Sequence, residues 1–552
     1  MGIVNSLRSR SRCWIAVLFI LLPAGIGKAQ TTGAAGEEGI PVKDPLVIAK
    51  CGSCHASDER GNMQNISWSR TTPEGWQDVL KDMIVMNGLS VSPAEARPIV
   101  KYLSTYHGLA PAESRPVMYD PERLVRDESI PTDGLRDACA KCHYFARAVS
   151  WRRSPQEWKR FYDSHAKRYK YKLNDEAVAY LSSAAPLHSP EWEAWSARSK
   201  VPELTGRWLV TASLPGHGDY VGEMQVDAAG DDEFTTRVKL TSVRDGSKVE
   251  RTGRSAVFGG TAWRGRSAGG NSSNLPPDDP SSDGREVMWV AANHLEAEGR
   301  WYWGQYQEFG FQVQLRRASA GPTLLTIDCS YLKPGWRGNR VRLIGDNFPG
   351  TVKAGDLNFG PGVSARIVSS TGVEIVADVD VAKSAAPGVR DVVFGAARLA
   401  GAIAIYDRID YIKVTPESAM AAFGDATHPR GYQQFQALGY QRGADGKAHT
   451  DDDVPLGPVD VSWSVRVFHA SDDGSSDSVG RISAAGLLSP APGNPKANFD
   501  VWVIATARDE KDAEGEPLTG RSYVVITVPT YAFNGRQYVR DLERWIDAGP
   551  AR

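Results

Sequence analysis

The spacing of apolar residues changes character twice along this chain. Trp14 to Gly27 is an unbroken run of mostly apolar or small residues, preceded by Arg8, Arg10 and Arg12 and ending on the small residues Gly27 and Ala29. It is too short to cross a bilayer as a helix and reads as a secretory signal peptide over residues 1–29, so export to the periplasm is expected. From about residue 40 to 190 the apolar positions recur at helical spacing. Thr72-Pro73-Glu74-Gly75-Trp76 and Ser154-Pro155-Gln156-Glu157-Trp158 read as the same helix start, with a hydroxyl N-cap, proline at the first helical position and Trp three residues on. Ser154 and Glu157 predict a capping box. Ser92-Pro93-Ala94-Glu95 opens a helix running to Ser104, and Asn174-Asp175-Glu176 opens a shorter one to Ser182. This is one small helical module written twice.

From about Thr205 the period becomes two. Residues 206–210, 222–226, 237–240, 285–290 and 311–315 alternate as half-buried strands of an antiparallel barrel or sandwich, and Gly265 to Gly284 reads as a long loop. The aromatic cluster Trp301, Tyr302, Trp303 and Tyr306 is expected in its core rather than on a docking surface. At 552 residues the chain exceeds one hydrophobic core several times over. With 64 Lys plus Arg against 66 Asp plus Glu, the formal charge is −2, which gives no global attraction to nucleic acid or anionic lipid. No later segment is apolar and long enough to span a membrane, so the mature chain is expected to be soluble.

The cysteines carry the chemistry. Cys13 falls in the signal peptide, Cys329 stands alone, and the other four form Cys51-Gly52-Ser53-Cys54-His55 and Cys139-Ala140-Lys141-Cys142-His143. Two thiols one helical turn apart can add to the two vinyl groups of one porphyrin, and the adjacent imidazole then reaches the iron, which makes each a c-type haem attachment site. A shuffled chain of this composition would contain one such motif only about once in a thousand trials. A zinc site built from both pairs is the competing reading, and the His directly after each second Cys weighs against it.

The repeat also points to the second axial ligands. Met83 lies seven residues beyond Trp76, and His165 seven beyond Trp158. Seven helical steps return to within about 20° of the same face, so each Trp and ligand candidate should point inward together. His55 with Met83 and His143 with His165 are therefore the expected pairs, with Met86, about 80° off the Trp face, as second choice for the first site. The thioether pairing should have the higher potential. His107 reads as a charge complement at its helix end, and His188 as a loop residue in reserve for the second haem.

Further on, residues 322–405 resemble an IPT/TIG immunoglobulin-like domain, with Ile327 starting the first strand, Cys329 buried on it, Val341 to Phe348 the next, then strands through Val373 to Val379 and Asp391 to Phe394. From Ile409 a second sandwich is similar to a bacterial Ig-like domain, with strands Val459 to Val465 and Val501 to Ala505 and a short helix at Arg540 to Ile546. Asp451-Asp452-Asp453 reads as an exposed loop rather than a calcium site. The β portion contains no G-x-S-x-G elbow, P-loop, dinucleotide fingerprint or H-E-x-x-H.

The expected architecture is thus a signal peptide (1–29), an α-helical tandem di-haem cytochrome c domain (30–200), an antiparallel β-barrel (201–320), an IPT/TIG Ig-like domain (321–408) and an Ig-like β-sandwich (409–552). This order, anchored by both haem motifs, resembles the α subunit of quinohemoprotein amine dehydrogenase. The resemblance implies two covalently bound haem c groups in an electron-transfer subunit of a heterotrimer. Its partners would be a β-propeller subunit and a small subunit bearing cysteine tryptophylquinone, where primary amines are oxidised. The acceptor would be a soluble blue copper protein or cytochrome c. With Cys329 alone left after the haems are served, the quinone must lie on another chain. A di-haem c-type peroxidase, and an Ig-like binding protein with an accessory cytochrome, stay open as alternatives.

Acid–detergent denaturation of the mature protein should leave both haems attached, because thioether bonds survive conditions that release b-type haem. Replacing Cys51 and Cys54 by Ala should remove one haem and spare the other, read from the pyridine haemochrome content per chain.

Overall fold

The computed structural model describes residues 38–119, 128–170, 174–198, 203–270, 275–468, 478–493, 495–512 and 514–529. The signal peptide and the helix expected at Arg540–Ile546 lie outside these residues. Among them no helix is long and apolar enough to cross a membrane.

The N-terminal region consists of short capped helices: α1 Pro45–Cys51, α2 Pro73–Asn87, α3 Pro93–Tyr106, α4 Pro111–Ser114, α5 Asp133–Cys139, α6 Phe145–Val149, α7 Pro155–Tyr169, α8 Asp175–Ala184 and α9 Pro190–Ser196. The repeat holds in detail. Thr72 Oγ1 accepts from Gly75 N at 3.3 Å and Ser154 Oγ from Glu157 N at 3.2 Å, each with proline next. Both α2 and α7 end in a left-handed residue, Gly88 and Lys170. A full capping box forms at Ser92 and Glu95, whereas that expected at Ser154 is half made because Glu157 turns to Arg160 instead. The Trp76 indole donates to His107 O and the Trp158 indole to Ala185 O, both at 2.9 Å. Each acceptor is the C-cap of the following helix, so each Trp clamps one helix pair and satisfies a helix-end carbonyl. His107 is fully buried at this helix end, and its carbonyl accepts the Trp76 indole.

Two short strands join the copies: β1 Ser69–Arg70 pairs antiparallel with β2 Arg152–Arg153, with Arg70 opposite Arg152. These arginines hold equivalent places, two residues before each N-cap, so a pseudo-two-fold axis passes between them. Glu113 of α4 serves both. It accepts from Arg70 Nη1 and Nη2 at 2.7 and 2.9 Å, from Arg152 Nε at 3.3 Å, and also from Ala110 N and the Ser189 hydroxyl at 2.9 Å each. Burial alone would push its carboxyl up, but the hydrogen bonds and charge of Arg70, with the charge of Arg152, hold it below the usual range.

Next comes a closed eight-stranded barrel: β3 Gly206–Leu214, β4 Gly218–Gly230, β5 Glu233–Ser242, β6 Lys248–Phe258, β7 Ala262–Ala268, β8 Gly284–Val290, β9 Glu296–Trp303 and β10 Phe309–Arg317, with β10 closing on β3. Trp208, Trp263, Trp301, Trp303 and Phe311 fill it. Tyr302 is buried on the outside between Arg285 and Arg300, and Tyr306 reaches away to Pro429 O. The expected loop begins only after Ala268: Gly265 is a strand residue, glycine because a Cβ there would lie 2.9 Å from Arg254 O and Ser255 Cβ. Outer-face residues Ala256, Phe258, Ala262 and Trp289 join the core of the first helical module beside Trp76, Leu80 and Leu103. Arg264 pairs with Glu74 of α2 across the same seam and stacks on Trp289.

The rest is layered β-sheet. Two four-stranded sheets span Thr323–Ile405 over a core of Val341, Leu343, Ile375, Ala377 and Val379, and sheets of three, four and three strands span Tyr411–Thr527. Ile327 ends the strand Thr323–Ile327 rather than starting one, and half-buried Cys329 lies beyond it, its thiol donating to Tyr331 O at 2.9 Å. Asp453 accepts from the Tyr411 hydroxyl at 2.6 Å and Gly443 N at 3.0 Å, so the acidic run there is engaged in holding its own turn.

Glu113→Gln should lower unfolding stability by about 3–5 kcal/mol, since it leaves two buried guanidinium groups uncompensated. Because the folded carboxyl is depressed, its contribution is full above the unfolded value of about 4.3 and is lost as pH falls further, through the folded value. Denaturant titrations at pH 7 and pH 3 should show the variant and parent converging at the lower pH.

Candidate haem sites

Each attachment motif begins at the end of a helix. α1 delivers Cys51 and α5 delivers Cys139, after which the chain turns so that Cys54 and His55, and Cys142 and His143, follow at once. All four thiols are free rather than paired as disulfides. Burial pushes the Cys51 thiol up, helped by neighbouring Cys54, and pushes the Cys139 thiol up to about 11.

The two histidines are oriented by one device. His55 Nδ1 lies 3.0 Å from Gln64 O, and His143 Nδ1 lies 2.9 Å from Tyr144 O. A proton on Nδ1 bonded to a carbonyl leaves Nε2 as the basic, outward nitrogen, the arrangement by which proteins aim histidine at a metal. Burial lowers the His143 pKa, favouring the neutral imidazole that a metal ligand must be.

The structure brings the second expected pair together. The His143 and His165 ring centroids stand 6.5 Å apart, a span that matches two metal–imidazole bonds of about 2 Å each plus the two ring radii. Phe161 stacks on His165 at 5.4 Å and 27°, and Tyr169 lies against it at 4.7 Å. These rings, one turn before and one turn after the histidine, carried a sequence signal in their spacing that the helix reading passed over. His188 packs edge-on against Trp192 instead. In the first site Met83 is half-buried on the face of α2 that carries Trp76 and Leu80, and Asn87 Nδ2 donates to its sulfur at 3.7 Å. Met86 is 46% exposed, its sulfur facing Arg168 of α7.

The donor set suits haem: two thiols and a tautomer-locked imidazole at each motif, opposed in the second by another imidazole. Ile48 of α1, Val85 and Met86 of α2, and Phe161 and Tyr169 of α7 are exposed apolar side chains on the helices that carry these groups. Exposed apolar surface gathered on such elements fits a large flat hydrophobic ligand.

Comparisons with known proteins bear on the whole chain. Family models match residues 42–178 as the haem-binding region of the quinohemoprotein amine dehydrogenase alpha subunit, 202–318 as its domain II, 321–407 as domain III and 412–537 as domain IV. No curated protein matches. Solved structures match only in part: a redesigned beta barrel at 12% identity over 21% of this chain and 92% of that one, TM-score 0.18. A de novo fluorescence-activating beta barrel matches at 17% over 21% and 93%, TM-score 0.17, and human protocadherin-24 EC1-2 at 15% over 38% and 98%, TM-score 0.17. With four consecutive family models spanning nearly all of the chain beyond residue 42, this protein belongs to the quinohemoprotein amine dehydrogenase alpha-subunit family.

Proposed function

We propose that this chain is the exported, periplasmic di-haem electron-transfer subunit of an amine dehydrogenase. In this reading a cysteine tryptophylquinone on a small partner subunit oxidises primary amines beside a β-propeller subunit, and a soluble blue copper protein or cytochrome c removes the electrons. The observation that most supports it is the run of all four alpha-subunit domain matches along one chain that also carries two attachment motifs.

Bound haem supplies a reversible one-electron iron couple at each site. Cys51 and Cys54, and Cys139 and Cys142, would hold the two haems covalently. His55 and His143 would ligate the irons, with Gln64 O and Tyr144 O favouring the required tautomer. His165, packed between Phe161 and Tyr169, would supply the second ligand at the second site, and Met83 that at the first. Two ligands at each site leave the amine no coordination position, and removing two electrons from an amine carbon calls for a carbonyl cofactor on another subunit. Two one-electron centres then suit the handover from a two-electron donor to a one-electron carrier.

Met83→Ala should abolish the long-wavelength Met-to-iron absorbance and lower the potential of one haem alone, while Met86→Ala should leave both unchanged; the reverse result moves the ligand. The haem-loaded single chain should not oxidise primary amines but should become reduced once the quinone-bearing small subunit and amine are added. Amine-dependent reduction by the single chain, with no quinone present, would overturn this division of labour.

A further inference from the structure

The two helical copies share an arginine two residues before each N-cap but differ at the residue that follows it. The first copy has Thr71, whose hydroxyl donates to Ser150 O at 3.1 Å; the second has Arg153. Arg153 is buried, and burial pushes its pKa down to about 10, so it stays charged at neutral pH. Its Nη1 donates to Ser69 Oγ at 2.5 Å, and its Nε has no partner. Among the described residues no carboxylate forms a salt bridge with it: Glu113 serves Arg70 and Arg152, and Glu157, whose charge acts on Arg153 from a distance, is bonded to Arg160. Aromatic faces hold it instead, with Trp151 at 4.2 Å, Phe161 at 4.7 Å and Trp158 at 5.6 Å from the guanidinium carbon. Such faces attract a cation without cancelling its charge.

The cage leads to both sites. Phe161 is the ring stacked on His165. On the other side Trp151 meets Trp76 of α2 edge-on at 5.9 Å, seven residues before Met83. A buried charge with no salt-bridge partner, one ring away from the His165 imidazole, would act on an iron bound there more strongly than a surface charge does.

We propose that Arg153 is a positioning residue for electron transfer: its fixed charge, one ring from His165, raises the reduction potential of the second haem and brings it toward that of the first. The inference rests on His165 being a ligand. The step it governs is the gain of one electron by ferric iron at the second site, drawn from whatever one-electron donor reduces the protein, with no bond made or broken and no proton moved. Bis-imidazole ligation alone would leave this haem the weaker electron acceptor; a nearby cation favours the reduced form, which carries one positive charge fewer, and offsets that handicap.

The test is spectroelectrochemical titration of the haem-loaded full chain, following the two haems by their separate spectra. In Arg153→Met the share of electrons on the second haem at half-reduction should fall on the order of tenfold, with its low-spin spectrum retained and the first haem changed less. Arg153→Lys should restore most of the parent distribution. Should Arg153→Met fail to fold, Ser69→Asp places a carboxylate against the same guanidinium, and its distribution should move in the same direction relative to Ser69→Asn. An unchanged distribution in either neutralising variant, or a Lys variant that behaves like Met, would overturn the proposal. His165→Ala separates the two claims: loss of the second haem's low-spin spectrum upholds the ligand reading, and an unchanged spectrum overturns it together with the route through Phe161.

Discussion

A single carboxylate ties the two helical modules together. Glu113 sits where the pseudo-two-fold axis passes between Arg70 and Arg152, and it bonds to both. Its other two acceptor bonds tie in the start of α4 through Ala110 and the cap of α9 through Ser189. A buried ion cluster of this kind contributes less to net stability than its bond count suggests, because desolvating three charges offsets most of the Coulomb gain. What it does fix is geometry: the wrong register would strand a guanidinium in the core. The strand pair is only two residues long on each side, so the ion cluster, not the ladder, sets how the copies meet.

From that joint the remaining order follows outward. Each Trp clamp fixes one helix pair, and the clamped helix carries the distal-ligand candidate seven residues on, so clamp and candidate share one rigid element. The first module is buttressed further by the barrel through Trp289, Phe258 and the pair Arg264–Glu74. Among the described residues the second module's core takes in no barrel side chains, and it is packed instead by its aromatic cage. Rigid surroundings suit one-electron chemistry, in which little should move when charge changes.

The sequence made local features legible and left pairings hidden. Attachment motifs, proline-led helix starts and the Trp repeat lie within a few residues, where capping and helical periodicity act, and all appear at the expected places. That His165 would face His143 was legible because the Trp repeat fixed its helix phase, seven residues beyond Trp158. The role of Glu113 could not be read: it sits in a four-residue helix and finds partners 43 and 39 residues away. Barrel strands β6 and β7 were missed because their inward positions include polar or small residues, Arg251, Gly253, Ser255, Gly265 and Ser267, which blur the apolar alternation. Glu157 shows the limit of motif reading, since a nearby arginine competed for the carboxylate that the capping box needed.

The barrel residues inside the cytochrome core bear on how the chain can be divided. A border drawn near residue 200 cuts a connection but passes to one side of a shared hydrophobic core, since Ala256, Phe258, Ala262 and Trp289 pack with Ile99, Val100 and Leu103. A fragment ending at that border would present this face of α3 to water and would leave Glu74 without its arginine. It would be a sticky, self-associating piece rather than a small soluble cytochrome. The smallest unit that could be handled by itself is therefore the helical region together with its barrel.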